Sequence, residues 1–297
     1  MKNMTRTFEQ TIIDMYGDRG RRWLASLSAT IAQLADRWEI TAIQPLPNLS
    51  YNYVVSGTRN GIPVILKIGN NIGFDPSAVA REAAALIALS DQCVKVLAQD
   101  ASAGALLLER LLPGTMLKEF FPDRDIEGTT ITANIINYFK SSQISSPLFL
   151  PVGDILMILD KDWPMIGRHL QKAKALRTSL LAMTPNQVLL HGDLHHENIL
   201  QHGNTWRVID PKGFIGDPAY ECGAYIRNPF PGILVCQNML TIIKKRIQMF
   251  ADLLNLDERR ITEWTYVQAV VAACWIIEDN LDPCSWIKLC DALEQIL

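Results

Sequence analysis

The stretch His191-Gly192-Asp193-Leu194-His195-His196-Glu197-Asn198, followed by Val208-Ile209-Asp210-Pro211-Lys212-Gly213, holds the side chains best suited to chemistry. An aspartate can take the proton of a hydroxyl as its oxygen attacks phosphorus. An amide oxygen and a second carboxylate are hard ligands that hold Mg²⁺ against a triphosphate. Asp193 therefore reads as the catalytic base, and Asn198 and Asp210 as metal ligands, in transfer of a phosphoryl group from ATP. A competing reading makes His191, Asp193, His195 and His196 a metallohydrolase cluster. A catalytic zinc site needs about three protein ligands and an open position, which leaves Asn198 and Asp210 without a task.

The spacing resembles the catalytic and metal-binding loops of protein kinases, with Asn198 five positions after Asp193 and Asp210 twelve after Asn198. That reading makes demands elsewhere. Residues 51–68 form two β-rich runs joined through Asn60-Gly61, the signature of a hairpin. Lys67 lies within the second run between Leu66 and Ile68. Alone it could be an edge-strand lysine facing water. The next segment supplies a partner: Asp75-Pro76 signals a helix start, and Glu82 interrupts an apolar stripe of Val79, Ala83, Leu86 and Leu89. A Lys67–Glu82 ion pair would let both charges be buried and aim the ammonium at nucleotide phosphates.

Residues 105–110, ALLLER, read as a buried strand followed by Leu-Leu-Pro-Gly. In a kinase-like chain this is the link whose backbone meets the adenine edge, with Glu109 and Leu111 as donors and acceptors; taken by itself it is equally an ordinary strand and turn. The first forty residues show helical periodicity, with Gly17 and Gly20 separating a short helix from a longer one packed on the first lobe. Helical runs follow at about 129–140, 167–183, 236–254, 261–280 and 284–296. Residues 141–165 read as a surface connection.

The expected fold class is α+β, a two-lobed protein-kinase-like fold. An N-terminal lobe would span 1–110, with its helical prefix at 1–40 and its nucleotide-covering sheet and Glu82 helix at 41–110. A hinge would occupy 111–114, and an α-rich C-terminal lobe with catalytic loop and acceptor site 115–297. At 297 residues and 48% hydrophobic content the chain can bury a core of that size. A net charge of −3 gives no basic field to recruit nucleic acid. The six cysteines include no CxxC pair and read as reduced packing residues. With no apolar leader and no apolar run long enough to span a bilayer, the expectation is a cytoplasmic protein without a membrane partner.

Taken together, GDRGRRWLASL, PVILKIG, REAAALIAL, GALLLERLLPGT, LLHGDLHHENIL, VIDPKGFIGDPAYE, IRNPF and QAVVAACWIIED resemble the aminoglycoside phosphotransferase family, in its streptomycin 6-phosphotransferase and hydroxyurea phosphotransferase subgroup. The resemblance implies ATP and Mg²⁺ as cofactors, with Lys67 on the α- and β-phosphates and His191 as a brace for the loop. It implies a small-molecule partner, a cationic aminoglycoside such as streptomycin. Three features depart from protein kinases or from the family. No GxGxxG precedes Lys67, so phosphate contacts fall to backbone N–H groups and Ser50. Pro-Lys-Gly follows Asp210, leaving Lys212 free to lie near the transferred group. Glu221 stands where the family has aspartate, as an anchor for the loop backbone. A guanidinium-bearing acceptor calls for acidic side chains, and Glu278, Asp279 and Asp282 are the available cluster, with Arg227 and Asn228 in the same cleft. The same three acids could also be a solvated helix end. A metabolic small-alcohol kinase and a catalytically silent nucleotide-binding protein are the alternatives.

Overall fold

The computed structural model describes residues 7–47, 49, 51–69, 72, 75, 77–140, 142, 144, 146–184 and 186–297. The chain divides into two compact units, Met1–Leu111 and Leu112–Leu297.

The first unit opens with helix α1 (Phe8–Arg37), whose first turn is capped by the Thr7 hydroxyl accepting from the Gln10 N–H. Gly17, with φ of 55°, kinks the helix. Gly20 does not separate two helices as expected. It lies within the helix, and a side chain there would put its Cβ 2.6 Å from the Ile12 carbonyl oxygen. Strands β1 (Ile40–Pro45), β2 (Tyr53–Arg59) and β3 (Ile62–Ile68) precede helix α2 (Ala78–Leu89) and strands β4 (Val96–Asp100) and β5 (Ala105–Glu109). The sheet order is β1-β2-β3-β5-β4. Asn60 and Gly61 both have positive φ, 50° and 78°, which is the backbone a tight type I′ hairpin demands. Val64, Leu66 and Ile68 alternate onto one face, where they form a core with Trp23, Leu27 and Leu34 of α1. The period of two sends Lys67 to the opposite face.

In the second unit, strand β6 (Pro113–Met116) is followed by α3 (Asp125–Phe139), β7 (Leu150–Pro151), α4 (Val152–Ile155), α5 (Gly167–Ala182) and β8 (Val188–Leu190). Then come β9 (Ile199–His202), β10 (Thr205–Val208), β11 (Phe214–Gly216), α6 (Pro218–Ile226), α7 (Met239–Leu254), α8 (Glu258–Glu278) and α9 (Cys284–Glu294). Among the described residues the strands make two small sheets, β10-β9-β6 and β7-β11-β8. Pro113 and Gly114, read as part of a link, belong to β6 and pair antiparallel with β9. Helix α8 is buried along most of its length and packs on α5, α6 and α9.

The connection at 141–165 is not confined to the surface. Phe149, Val152, Leu156, Leu159 and Trp163 are buried, because short helical turns and β7 direct its apolar residues inward while its acids stay in water. The six cysteines are free. Among the described residues, no helix is long and apolar enough to cross a membrane.

Candidate active site

In the first unit, Lys67 Nζ donates to Glu82 Oε2 at 2.6 Å, and both side chains are under a tenth exposed. Strand β3 presents the lysine on the face opposite α1, and α2 carries the glutamate. Asp75 steadies the approach to α2 by accepting from the Ser77 N–H and pairing with Arg81. The N–H of Glu109 is donated to the Lys95 carbonyl at 3.0 Å, so only the Glu109 carbonyl is left for a base edge. Leu111 is buried at the end of the unit. Ser50 lies outside the described residues.

The second unit holds the loop between β8 and β9. Glu221, on the first turn of α6, accepts from the His191 N–H at 2.6 Å and from the Gly192 N–H at 3.0 Å. Helix α6 is itself anchored by Asp217, which caps its N-terminus through the Ala219 N–H and accepts from Trp264 Nε1 and Arg260. The longer side chain at 221 therefore still spans both amides. Gly192 has φ of 83°, and a Cβ there would lie 2.5 Å from the Phe214 ring, so only glycine fits.

His191 Nε2–H donates to the Ile209 carbonyl at 2.9 Å, and its Nδ1 accepts from the Asp193 N–H at 3.3 Å. Burial pushes this imidazole down to about 4, so it is neutral and braces the loop. His196 is buried, stacked 3.9 Å from Tyr225, with Arg246 Nη2 3.3 Å from its Nε2. The imidazoles thus turn to different partners and do not converge on a metal. The metallohydrolase geometry is absent from these described residues.

Asn198 Nδ2 donates to the Asp193 carbonyl at 2.9 Å, which fixes the amide and leaves Oδ1 as its ligand-capable end. The Ile209 N–H donates to the Asn198 carbonyl at 3.0 Å and so brings Asp210 alongside. Asp210 has φ of 62°, a left-handed backbone that aspartate tolerates better than most residues outside glycine. Lys212 Nζ lies 2.6 Å from Asp210 Oδ2 and 3.8 Å from Asp193 Oδ2. One cation therefore reaches both carboxylates, and Lys212 is paired to Asp210. Burial alone would raise the Asp193 carboxyl; Lys212, His195 and Arg227 outweigh it and hold the group below the usual carboxylate range.

Asp193 opens onto a cavity of about 240 Å³ in the second unit, walled by Ile155, Phe214, Tyr220, Val271 and Trp275, with Lys212 and Arg227 as its cations. Arg227 was expected here. Glu278, Asp279, Asp282 and Asn228 do not line it. Glu278 pairs with Lys161, Asp279 caps the end of α8, Asp282 accepts from the Cys284 N–H, and Asn228 turns to the Ala224 and Phe230 backbone. The aromatic walls went unread in the sequence because Phe214, Tyr220 and Trp275 come from three separate segments. The one local signal was the tryptophan within the apolar run of α8.

Glu221 provides a pH test. Burial raises its carboxyl from an ordinary value near 4.5 to about 7, against the lowering effect of the two N–H donors. Between those values the folded chain binds the proton that the unfolded chain has lost, so stability falls as pH rises. The shift corresponds to about 3 kcal/mol. Glu221→Gln cannot ionise. Thermal unfolding of both proteins from pH 4.5 to 8 should show the wild type losing more stability than the variant; parallel curves would contradict a raised carboxyl.

A family model described as aminoglycoside/hydroxyurea antibiotic resistance kinase matches residues 37–280. The streptomycin 6-kinase of Streptomyces glaucescens is 27% identical, over 94% of this chain and 92% of its own length. The hydroxyurea phosphotransferase of Kitasatospora aureofaciens is 27% identical over 89% and 77%. A crystal structure of the aminoglycoside phosphotransferase APH(4)-Ia matches with a TM-score of 0.66 at 14% identity, covering 90% of this chain and 98% of that one. At that identity the likeness is one of fold, and it agrees with the kinase-like α+β class expected from the motifs.

Proposed function

The chain belongs to the aminoglycoside/hydroxyurea antibiotic resistance kinase family, and from that membership we propose that it phosphorylates a hydroxyl of an aminoglycoside such as streptomycin, using ATP. Asp193 is the base: the acceptor oxygen bonds to the γ-phosphorus, its proton passes to the Asp193 carboxylate, and the bond to the β,γ-bridging oxygen breaks with its electron pair leaving on ADP. Lys67, held by Glu82, serves the α- and β-phosphates, and the Glu109 carbonyl and Leu111 N–H serve the base edge. The observation that carries the reading is the Asp193-Asn198-Asp210 loop, in which one amide is held through its nitrogen and one ammonium bridges two carboxylates.

The same donor set suits Mg²⁺. Asn198 Oδ1 and an Asp210 carboxylate are hard oxygen ligands of the kind that ion takes, and the Lys212 ammonium lies where positive charge is wanted. Bound there, the metal would neutralise charge on the β- and γ-phosphates. His191, Glu221 and Gly192 hold the loop so that these oxygens need not reorganise.

A coupled ADP-release assay over aminoglycosides, hydroxyurea and simple alcohols tests the proposal. Turnover is expected with streptomycin or a relative, well above the ATPase background. Turnover confined to simple alcohols would reassign the acceptor. A folded sample that releases no ADP with any acceptor would remove the kinase mechanism from this chain.

A further inference from the structure

Arg227 sits at the C-terminal end of α6 with its side chain 12% exposed. Its Nη2 lies 3.9 Å from Asp193 Oδ1, beyond hydrogen-bond length, and its buried Nε has no acceptor among the described residues. The Trp286 ring lies 5.6 Å from the Arg227 Cζ, but a guanidinium N–H taken from water without its hydrogen bond is costly, which points to a partner that arrives with a ligand. Lys212 stands 3.8 Å from the other oxygen of Asp193. Lys212 is already paired to Asp210 at 2.6 Å, so Arg227 is the cation of this cavity wall left to answer incoming negative charge.

The backbone around Arg227 is fixed by a second arginine. Arg246, fully buried, donates Nη1–H to the carbonyls of Tyr225 and Ile226 at 3.1 and 3.0 Å, and also to Asn228, bracketing residue 227. Its Nε and Nη2 donate to Asp125. The last carbonyls of α6, which a helix end leaves unmet, are thereby satisfied. The backbone that carries Arg227 cannot drift without breaking that set.

We propose that Arg227 is a catalytic residue that donates to the equatorial oxygens of the phosphoryl group in flight, and is not an acceptor-binding side chain. This rests on the ATP-dependent transfer proposed above. The guanidinium neither gives nor takes a proton in the step; its planar fork matches two phosphoryl oxygens, and its fixed position removes the need to reorganise as charge shifts.

The test compares Arg227→Gln and Arg227→Lys with wild type in steady-state kinetics and in binding of ADP alone against ADP with aluminium fluoride, a planar phosphoryl mimic. Loss of one preorganised donor should lower kcat by about 10² to 10³, with acceptor KM within a few-fold of wild type. ADP affinity should hold while affinity for the fluoride complex falls by a comparable factor. Lysine should restore part of both, because it keeps the charge and loses the fork. A rise in acceptor KM with kcat intact would overturn the proposal in favour of acceptor binding. Equal affinity of Arg227→Lys and wild type for the fluoride complex, with unchanged kcat, would leave only packing. A wild type that binds the fluoride complex but phosphorylates no acceptor would fail the functional reading and still report on Arg227.

Discussion

Asp193→Ala is expected to lower kcat by about 10² to 10⁴, the range a positioned general base supplies, while ATP affinity stays within a few-fold of wild type. The reason is local. The Asp193 backbone, not its carboxylate, accepts from Asn198 Nδ2, and the loop is held from behind by Glu221 and His191. Removing the carboxylate should therefore leave Asn198 and Asp210 in place. Isothermal titration with a non-hydrolysable ATP analogue and magnesium, beside ADP-release kinetics, separates the two effects. Loss of nucleotide binding in step with turnover would show that Asp193 holds the loop together instead of acting on the acceptor.

The second large effect concerns the first unit. Lys67→Met leaves Glu82, which is 6% exposed, without its cation. Removing one partner of a buried pair costs about 3–5 kcal/mol, so the midpoint of urea unfolding should fall sharply and KM for ATP should rise. In Lys67→Met with Glu82→Leu both charges are gone, and replacing a buried pair with apolar side chains is often neutral or stabilising. The double variant should recover much of the stability and none of the activity. Recovery of ATP turnover in it would mean that Lys67 serves the fold alone. Failure to recover stability would mean that other groups near the pair hold α2 in place.

The elements that read correctly from the chain are those whose information is local. The Asn60-Gly61 turn, the alternation of Val64, Leu66 and Ile68, the apolar stripe of α2 broken by Glu82, and the Asp193 to Asn198 spacing each lie within a few residues. Backbone sterics and periodicity act on that scale. Glu82 is 15 positions from Lys67, near enough for a strand and its following helix to be read together. The 141–165 segment misled because its Ser, Pro and Asp residues look like loop and hide the helical spacing of Val152, Leu156, Leu159 and Trp163, which are buried.

Longer-range relations were closed to that kind of reading. Glu278, Asp279 and Asp282 look like an acidic wall in one dimension. Lys161, 117 positions earlier, answers the first of them in space. Arg246 is one of three basic residues on α7, and nothing in its spacing marks it out. Only the packing of α3 and α6 against α7 brings Asp125, 121 positions away, and the α6 carbonyls to its guanidinium.

By itself, then, the order of amino acids determined which side chains are on offer: the carboxylates of Asp193 and Asp210, the amide of Asn198 and a lysine–glutamate pair that the fold buries, because those choices are written in residue type and short spacing. Tertiary structure alone decided what surrounds Asp193. Ile155, Phe214 and Trp275 meet at the Asp193 cavity because α4, β11 and α8 pack together, and the same packing makes Arg227 a buried cation 3.9 Å from Asp193. The physical reason is that burial and charge balance depend on every segment that closes over a point, and no single segment carries that information.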